Sequence, residues 1–187
     1  SNLSTHLKNS NSVVTELIEE LKNVETIWEP SVKTTRKGFQ AIGNIFKNSS
    51  GALNKLESII INEIDLYYLK FKDEDCSFIK KWPYKKNIKG WHVILKQQGF
   101  QEPHIHPSGW LSGVIYLKVV PSCDKNEGAI EFSLNAKDYS DPNSQKLIHQ
   151  PKEGDMVMFP SSLHHRTIPF TTNTDRIVVS FDLIPNK

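Results

Sequence analysis

A mainly β fold of the sandwich or barrel kind, a jelly roll supported by N-terminal helices, is what this sequence predicts. Three observations predict it. After residue 86, about eight short β-rich runs follow one another at a spacing near twelve residues, each closed by a turn signal. Before residue 86, apolar residues recur instead at three- and four-residue intervals. Finally, 187 residues suit one domain with a substantial core, and no internal repeat or low-complexity segment suggests more.

The elements follow in order. Residues 1–12 (SNLSTHLKNSNS) are polar and aperiodic, and read as a tail or the end of a linker. The rest, 13–187, reads as a single domain, with 13–86 as helical support and 87–187 as the β core. A helix is expected over 13–24, where Val13, Val14, Leu17, Ile18, Leu21 and Val24 form a stripe, with Ser12 as its N-cap. A longer amphipathic helix is expected over 50–71, from Leu53, Leu56, Ile60, Ile64 and Tyr67. Residues 28–46 between them hold Pro30, Gly38 and Gly43 and read as irregular. Strands are expected over 90–96, 103–106, 110–120, 128–134, 146–150, 155–160, 165–170 and 176–184. Turn residues such as Pro107-Ser108-Gly109 and Glu153-Gly154 divide them.

Composition excludes several classes. A formal net charge of +2 is too small and too scattered to indicate nucleic acid. The cluster Lys80-Lys81 and Lys85-Lys86 beside Trp82 and Tyr84 reads as a solvated loop. No apolar run approaches membrane-spanning length, and no signal-peptide pattern opens the chain. Cys76 and Cys123 lack CxxC spacing or a neighbouring His, so they read as inert thiols and place the chain in a reducing, cytoplasmic compartment. A homo-oligomer is left open.

The chemistry concentrates in histidines. On a strand, residues i and i+2 share a face, so His104 and His106 would aim two imidazoles at one point while Ile105 turns away. A third imidazole from a distant strand would complete three ligands on one side of a metal, leaving positions open for a substrate and O2. His164-His165 lies near the start of such a strand, and alternation lets only one of the two face inward. His92 reads as structural because it has no ligand-spaced partner, and His6 and His149 read as incidental.

The last strand has two faces. Ile177, Val179, Phe181 and Leu183 are apolar, whereas Arg176, Val178 and Ser180 lie on the other side. An arginine aimed into a barrel is costly unless an anion meets it, and a carboxylate can take two parallel hydrogen bonds from a guanidinium. Ser180 could donate another. The plain alternative is an internal salt bridge from Arg176 to Asp175 or Asp182.

These pieces together match a known pattern. PHIHPSGWLSGVIYL (103–117), EGAIEF (127–132), EGDMVMFPSSLHHRTIPF (153–170) and DRIVVSFD (175–182), with the leader WEPSVKTTRKGFQAIGNIF (28–46), resemble the 2-oxoglutarate/Fe(II)-dependent oxygenases of the double-stranded β-helix (cupin-like) fold. The chain is most similar to a branch distantly related to prolyl hydroxylases. The resemblance covers about residues 28–184. It implies Fe(II) held by His104, His106 and His165, and 2-oxoglutarate anchored by Arg176, Tyr116 and Ser180. Tyr116 shares a strand face with Ser112, as that placement needs. The implied reaction couples 2-oxoglutarate decarboxylation to oxidation of a C–H bond with O2, most simply hydroxylation of a peptide side chain or a small metabolite. Loops 72–89, 135–146 and 171–175 would shape the substrate site.

One departure stands out: the family's second ligand is Asp or Glu, and here it is His106. Three neutral imidazoles would leave a ferrous centre at +2 rather than +1 and soften the preference for iron. Two other readings therefore stay open. One is a three-His, cupin-like dioxygenase without co-substrate. The other is a non-catalytic metal- or ligand-binding accessory barrel.

Overall fold

A computed structural model describes residues 1–7, 9–121, 126–136 and 138–185; Cys123 lies outside them. Two helices form where the apolar stripes predict them. α1 spans Ser10–Leu21 and α2 spans Gly51–Phe71, followed by a single helical turn, α3 (Ser77–Lys80). The N-cap of α1 is Asn9 rather than Ser12, its side chain accepting from the Ser12 amide. Ser50 makes no side-chain cap for α2. Instead the Glu20 carboxylate of α1 accepts from the Ala52 and Leu53 amides at 2.7 and 3.0 Å. A carboxylate suits the positive end of a helix dipole, so one helix end is closed by the other helix.

The strands are β1 (Thr26–Trp28), β2 (Thr35–Ala41), β3 (Asn87–His104), β4 (Leu111–Lys118), β5 (Ile130–Phe132), β6 (Leu147–His149), β7 (Met156–Pro160), β8 (His165–Thr167) and β9 (Arg176–Ile184). All are antiparallel, in the order β6-β5-β8-β3-β9-β4-β7, with β2 on β3 and β1 outside β2. The long β3 joins two runs expected as separate strands. Its first half pairs with β9 (Leu95 opposite Arg176) and its far end with β8 (His104 opposite His165). One strand therefore serves both halves of the sheet.

Two expectations are corrected here. Residues 28–46 are not wholly irregular, since Trp28 ends β1 and Thr35–Ala41 form β2; Gly38 is admitted because a Cβ there would meet the Ile94 carbonyl at 2.6 Å. Nor do the described residues of 1–12 form a tail. Leu3 is fully buried in a single 3₁₀ turn (Leu3–Thr5); Ser1 bonds to Met156 of β7, and the Leu3 amide donates to the Gly154 carbonyl just before it. Covering that edge satisfies backbone groups an exposed strand would leave open. Polar composition concealed the packing of Leu3 and Leu7.

Alternation sorts the core into two layers. Val179, Phe181 and Leu183 of β9 and Leu111, Ile115 and Leu117 of β4 pack under Leu17 of α1 and Leu56, Ile60 and Ile64 of α2. The opposite faces supply Val178, Val114 and Tyr116, which join Val93, Leu95, Phe132 and Phe159 in the barrel interior. Each large apolar side chain so buried contributes about 1.5–3 kcal/mol. No helix among the described residues is long and apolar enough to cross a membrane.

Candidate metal centre

Strand register brings the histidines together. His104 and His165 are directly opposite on β3 and β8, which places their side chains side by side. β3 ends at His104, so alternation along a strand does not aim His106. The following loop does. The His106 amide donates to the Ser161 carbonyl at 2.9 Å, and the Gly109 amide donates to the His106 carbonyl at 3.0 Å.

The candidate ligand atoms of His104, His106 and His165 all lie within 4.8 Å of one another. His104 Nε2 and His106 Nε2 are 3.3 Å apart. Each ring is held from behind through Nδ1: His104 by the Glu102 carbonyl at 2.7 Å, His165 by the Leu163 carbonyl at 3.0 Å, and His106 by Asp182 Oδ1 at 2.6 Å. Nδ1 must carry the proton to donate to these acceptors, and a neutral ring so held keeps its Nε2 lone pair for a ligand. Burial, helped by the neighbouring His106, lowers the His104 imidazole to about 4. Burial and then His104 lower His165 to about 2. Both rings are therefore neutral near pH 7 and release no proton on ligating a cation. Phe159 and Phe132 flank His165, and Trp91 lies beside His106.

Arg176 lies on the interior face of β9, 2% exposed. It pairs with neither expected carboxylate. Asp175 pairs with Lys96 at 2.6 Å, and Asp182 with His106. Its Nε donates to the Gly128 carbonyl at 3.1 Å, and its guanidinium sits 5.0 Å from the Tyr116 ring centroid. Arg176 Nη1 and the Tyr116 hydroxyl are both buried and, apart from their interaction with each other, have no hydrogen-bond partner among the described residues. Burial pushes the Tyr116 hydroxyl up to about 12, against the pull of Arg176, and draws the Arg176 guanidinium below its ordinary value. A buried cation whose one neighbouring hydroxyl cannot neutralise it is an arrangement an anionic ligand would complete. Ser180 shares this face and is buried with them.

A cleft of about 480 Å³ opens on the other side of the histidines. Val32, Lys33, Ile42, Lys89, Trp91 and Gln101 are among its walls. Of the loops expected to shape it, only Lys89 contributes among the described residues; the β1–β2 region, with β3 and the 105–108 loop, forms its walls instead. His92 is fully buried opposite Val179, on the helix side of the sheet. His6 is not incidental, since it meets buried Glu63 of α2 at 2.5 Å, and His149 lies 3.3 Å from Asp155. Sequence reasoning missed Asp182 as the partner of His106. The signal was its place two alternations beyond Val178, on the face of Arg176.

Residues 89–182 match the family model described as "Putative 2OG-Fe(II) oxygenase". No curated protein matches the sequence. Among solved structures, the chain is similar to HygX from Streptomyces hygroscopicus with nickel and 2-oxoglutarate bound (12% identity, TM-score 0.63, 94% of this chain and 79% of that one). It is also similar to a Pseudomonas putida prolyl-4-hydroxylase (13%, 0.62, 95% and 88%). A third is a Trichoplax adhaerens prolyl hydroxylase in complex with a hypoxia inducible factor oxygen degradation domain peptide (13%, 0.61, 92% and 78%). The fold is thus the expected one: mainly β, a double-stranded β-helix with N-terminal helices.

Proposed function

The chain belongs to the 2OG-Fe(II) oxygenase family, and from that premise we propose that it hydroxylates a peptide side chain or a small metabolite. His104, His106 and His165 hold Fe(II) in this reading, and Arg176, Tyr116 and Ser180 hold the far carboxylate of 2-oxoglutarate. The family implies O2 and a substrate as the remaining reactants. One observation carries the assignment: a candidate ligand nitrogen from each of three imidazoles lies within 4.8 Å of the others while every Nδ1 is tied to an acceptor.

The donor set fits the metal, and Arg176 Nη1 and the Tyr116 hydroxyl, which have no partner beyond each other among the described residues, fit the carboxylate. Bound Fe(II) and 2-oxoglutarate supply the oxidising chemistry, in which O2 and 2-oxoglutarate become succinate, CO2 and the oxygen atom inserted into C–H. The protein's own residues bind and orient. Arg176 offers a fixed fork of donors, and Tyr116 Oη donates beside it. Val93, Val114, Val178 and Phe159 keep the interior dry, so these polar contacts act at low dielectric. The cleft beside Trp91 receives the substrate.

The test is an anaerobic Fe(II) titration with 2-oxoglutarate, following the visible charge-transfer band of a chelated 2-oxo acid. The band is expected in the wild type, absent in His165→Ala and weakened in Arg176→Ala. Iron binding without a band refutes the co-substrate assignment. The all-imidazole donor set favours one second reading, a cupin-like dioxygenase in which Arg176 binds the substrate carboxylate. O2 consumption independent of 2-oxoglutarate would identify it.

A further inference from the structure

His106 occupies the position where the family resemblance places a carboxylate, and the structure shows a carboxylate immediately behind it. Asp182 is 6% exposed, on the interior face of β9 opposite Ser112 of β4 and Lys89 of β3. Its Oδ1 accepts from His106 Nδ1 at 2.6 Å and from the Ser112 hydroxyl at 2.6 Å. Ser112 Oγ also stands 2.9 Å from His106 Nδ1 and 2.8 Å from Ser161 Oγ. The chain crosses directly over this group. A Cβ at Gly109 would lie 2.5 Å from Ser161 Oγ and 3.1 Å from Asp182 Cγ. The other two imidazoles lean on neutral backbone carbonyls. Of the three, His106 is the one hydrogen-bonded to a carboxylate.

We propose that Asp182 is a positioning residue for the metal. Through His106 it fixes the Nδ1–H tautomer, turns Nε2 towards the ion, and returns negative charge to a centre otherwise built from neutral imidazoles. Ser112 holds the carboxylate in place for that task. A carboxylate behind a ligating imidazole raises its basicity, and removing such a partner typically costs 10–100-fold in metal affinity. The same charge answers the soft preference for iron that three imidazoles alone would give. The inference rests on the three-histidine reading above.

Its test uses Co(II) and the full chain, with affinity from competition against a chromophoric chelator and geometry from the visible ligand-field absorption. Asp182→Asn is expected to weaken Co(II) binding by about 10–100-fold and shift the ligand-field bands, with apo unfolding little changed. His106→Asp combined with Asp182→Asn moves the carboxylate from behind the ligand to the ligand position, and is expected to recover most of that affinity. A purely structural Asp182 would leave the bands of the metal-bound form unmoved and gain nothing from the second substitution. If Asp182→Asn does not fold, Ser112→Ala is expected to lower affinity in the same direction by freeing the carboxylate; unchanged affinity there overturns the proposal. Wild-type-like affinity in Asp182→Asn, or a double variant no better than the single, overturns it while leaving the metal site intact. Failure of the wild type to bind Co(II) overturns the three-histidine reading itself.

Discussion

Replacing Arg176 by Met separates a ligand-binding arginine from a structural one. The guanidinium is 2% exposed and makes no ion pair among the described residues; its fixed contacts are the Gly128 carbonyl and the face of Tyr116. Exchanging a buried charge for an apolar side chain of similar length is commonly neutral or stabilising by about 1–4 kcal/mol. Losing the bond to Gly128 costs about 1–3 kcal/mol in the other direction. The two effects oppose each other, so the melting temperature without 2-oxoglutarate should stay within a few degrees of wild type. With the ligand the order reverses. At 2-oxoglutarate 100-fold above its Kd, wild type gains about 2.7 kcal/mol, or about 5–11 °C for a chain of this size. Truncating one partner of a buried charged hydrogen bond costs about 2–5 kcal/mol of affinity, so the variant keeps less than about 1 kcal/mol of that gain at the same concentration. Thermal unfolding with anaerobic Fe(II), with and without 2-oxoglutarate, reads both effects. A variant that melts well below wild type without ligand, yet keeps the full ligand shift, would refute the reasoning.

Three further outcomes are expected. Glu20→Ala leaves the Ala52 and Leu53 amides at the start of α2 without their acceptor, and should lower stability by about 1–2 kcal/mol in urea unfolding. A change under a few tenths would show that water replaces the cap freely. Burial holds the His92 imidazole down at about 4, whereas it titrates near 6.5 when unfolded. The unfolded chain therefore takes up the proton first as pH falls, and about 3 kcal/mol of stability present above pH 6.5 is lost by pH 4. His92→Leu should flatten that acid limb, and stability–pH curves parallel to wild type would refute the assignment. Ile60→Ala opens a cavity between α2 and the sheet at a fully buried position, with an expected loss of 2–5 kcal/mol by denaturant titration. A loss below about 1 kcal/mol would mean that the helix layer is loosely packed.

Periodicity and composition determined much of this molecule. Helical spacing placed α1 and α2 within a few residues of their bounds, and alternation in β9 correctly put Val179, Phe181 and Leu183 on one face and Arg176, Val178 and Ser180 on the other. Those signals are legible because one buried face imposes a local repeat of 3.6 or 2 on the chain. The family motifs also named the three histidines that the structure brings together. The β1–β2 pair and the anchored N-terminus were not legible. Their pairing partners lie far along the chain, and short polar-looking segments carry no repeat of their own.

The electrostatics of the centre belong to tertiary structure alone. His106 and Asp182 are separated by 76 residues, yet their side chains meet at 2.6 Å because β9 lies between β3 and β4 and the Gly109 loop folds over its end. Sequence shows three imidazoles and suggests a centre without a nearby carboxylate. The sheet order supplies one, since register decides which distant side chains share a face.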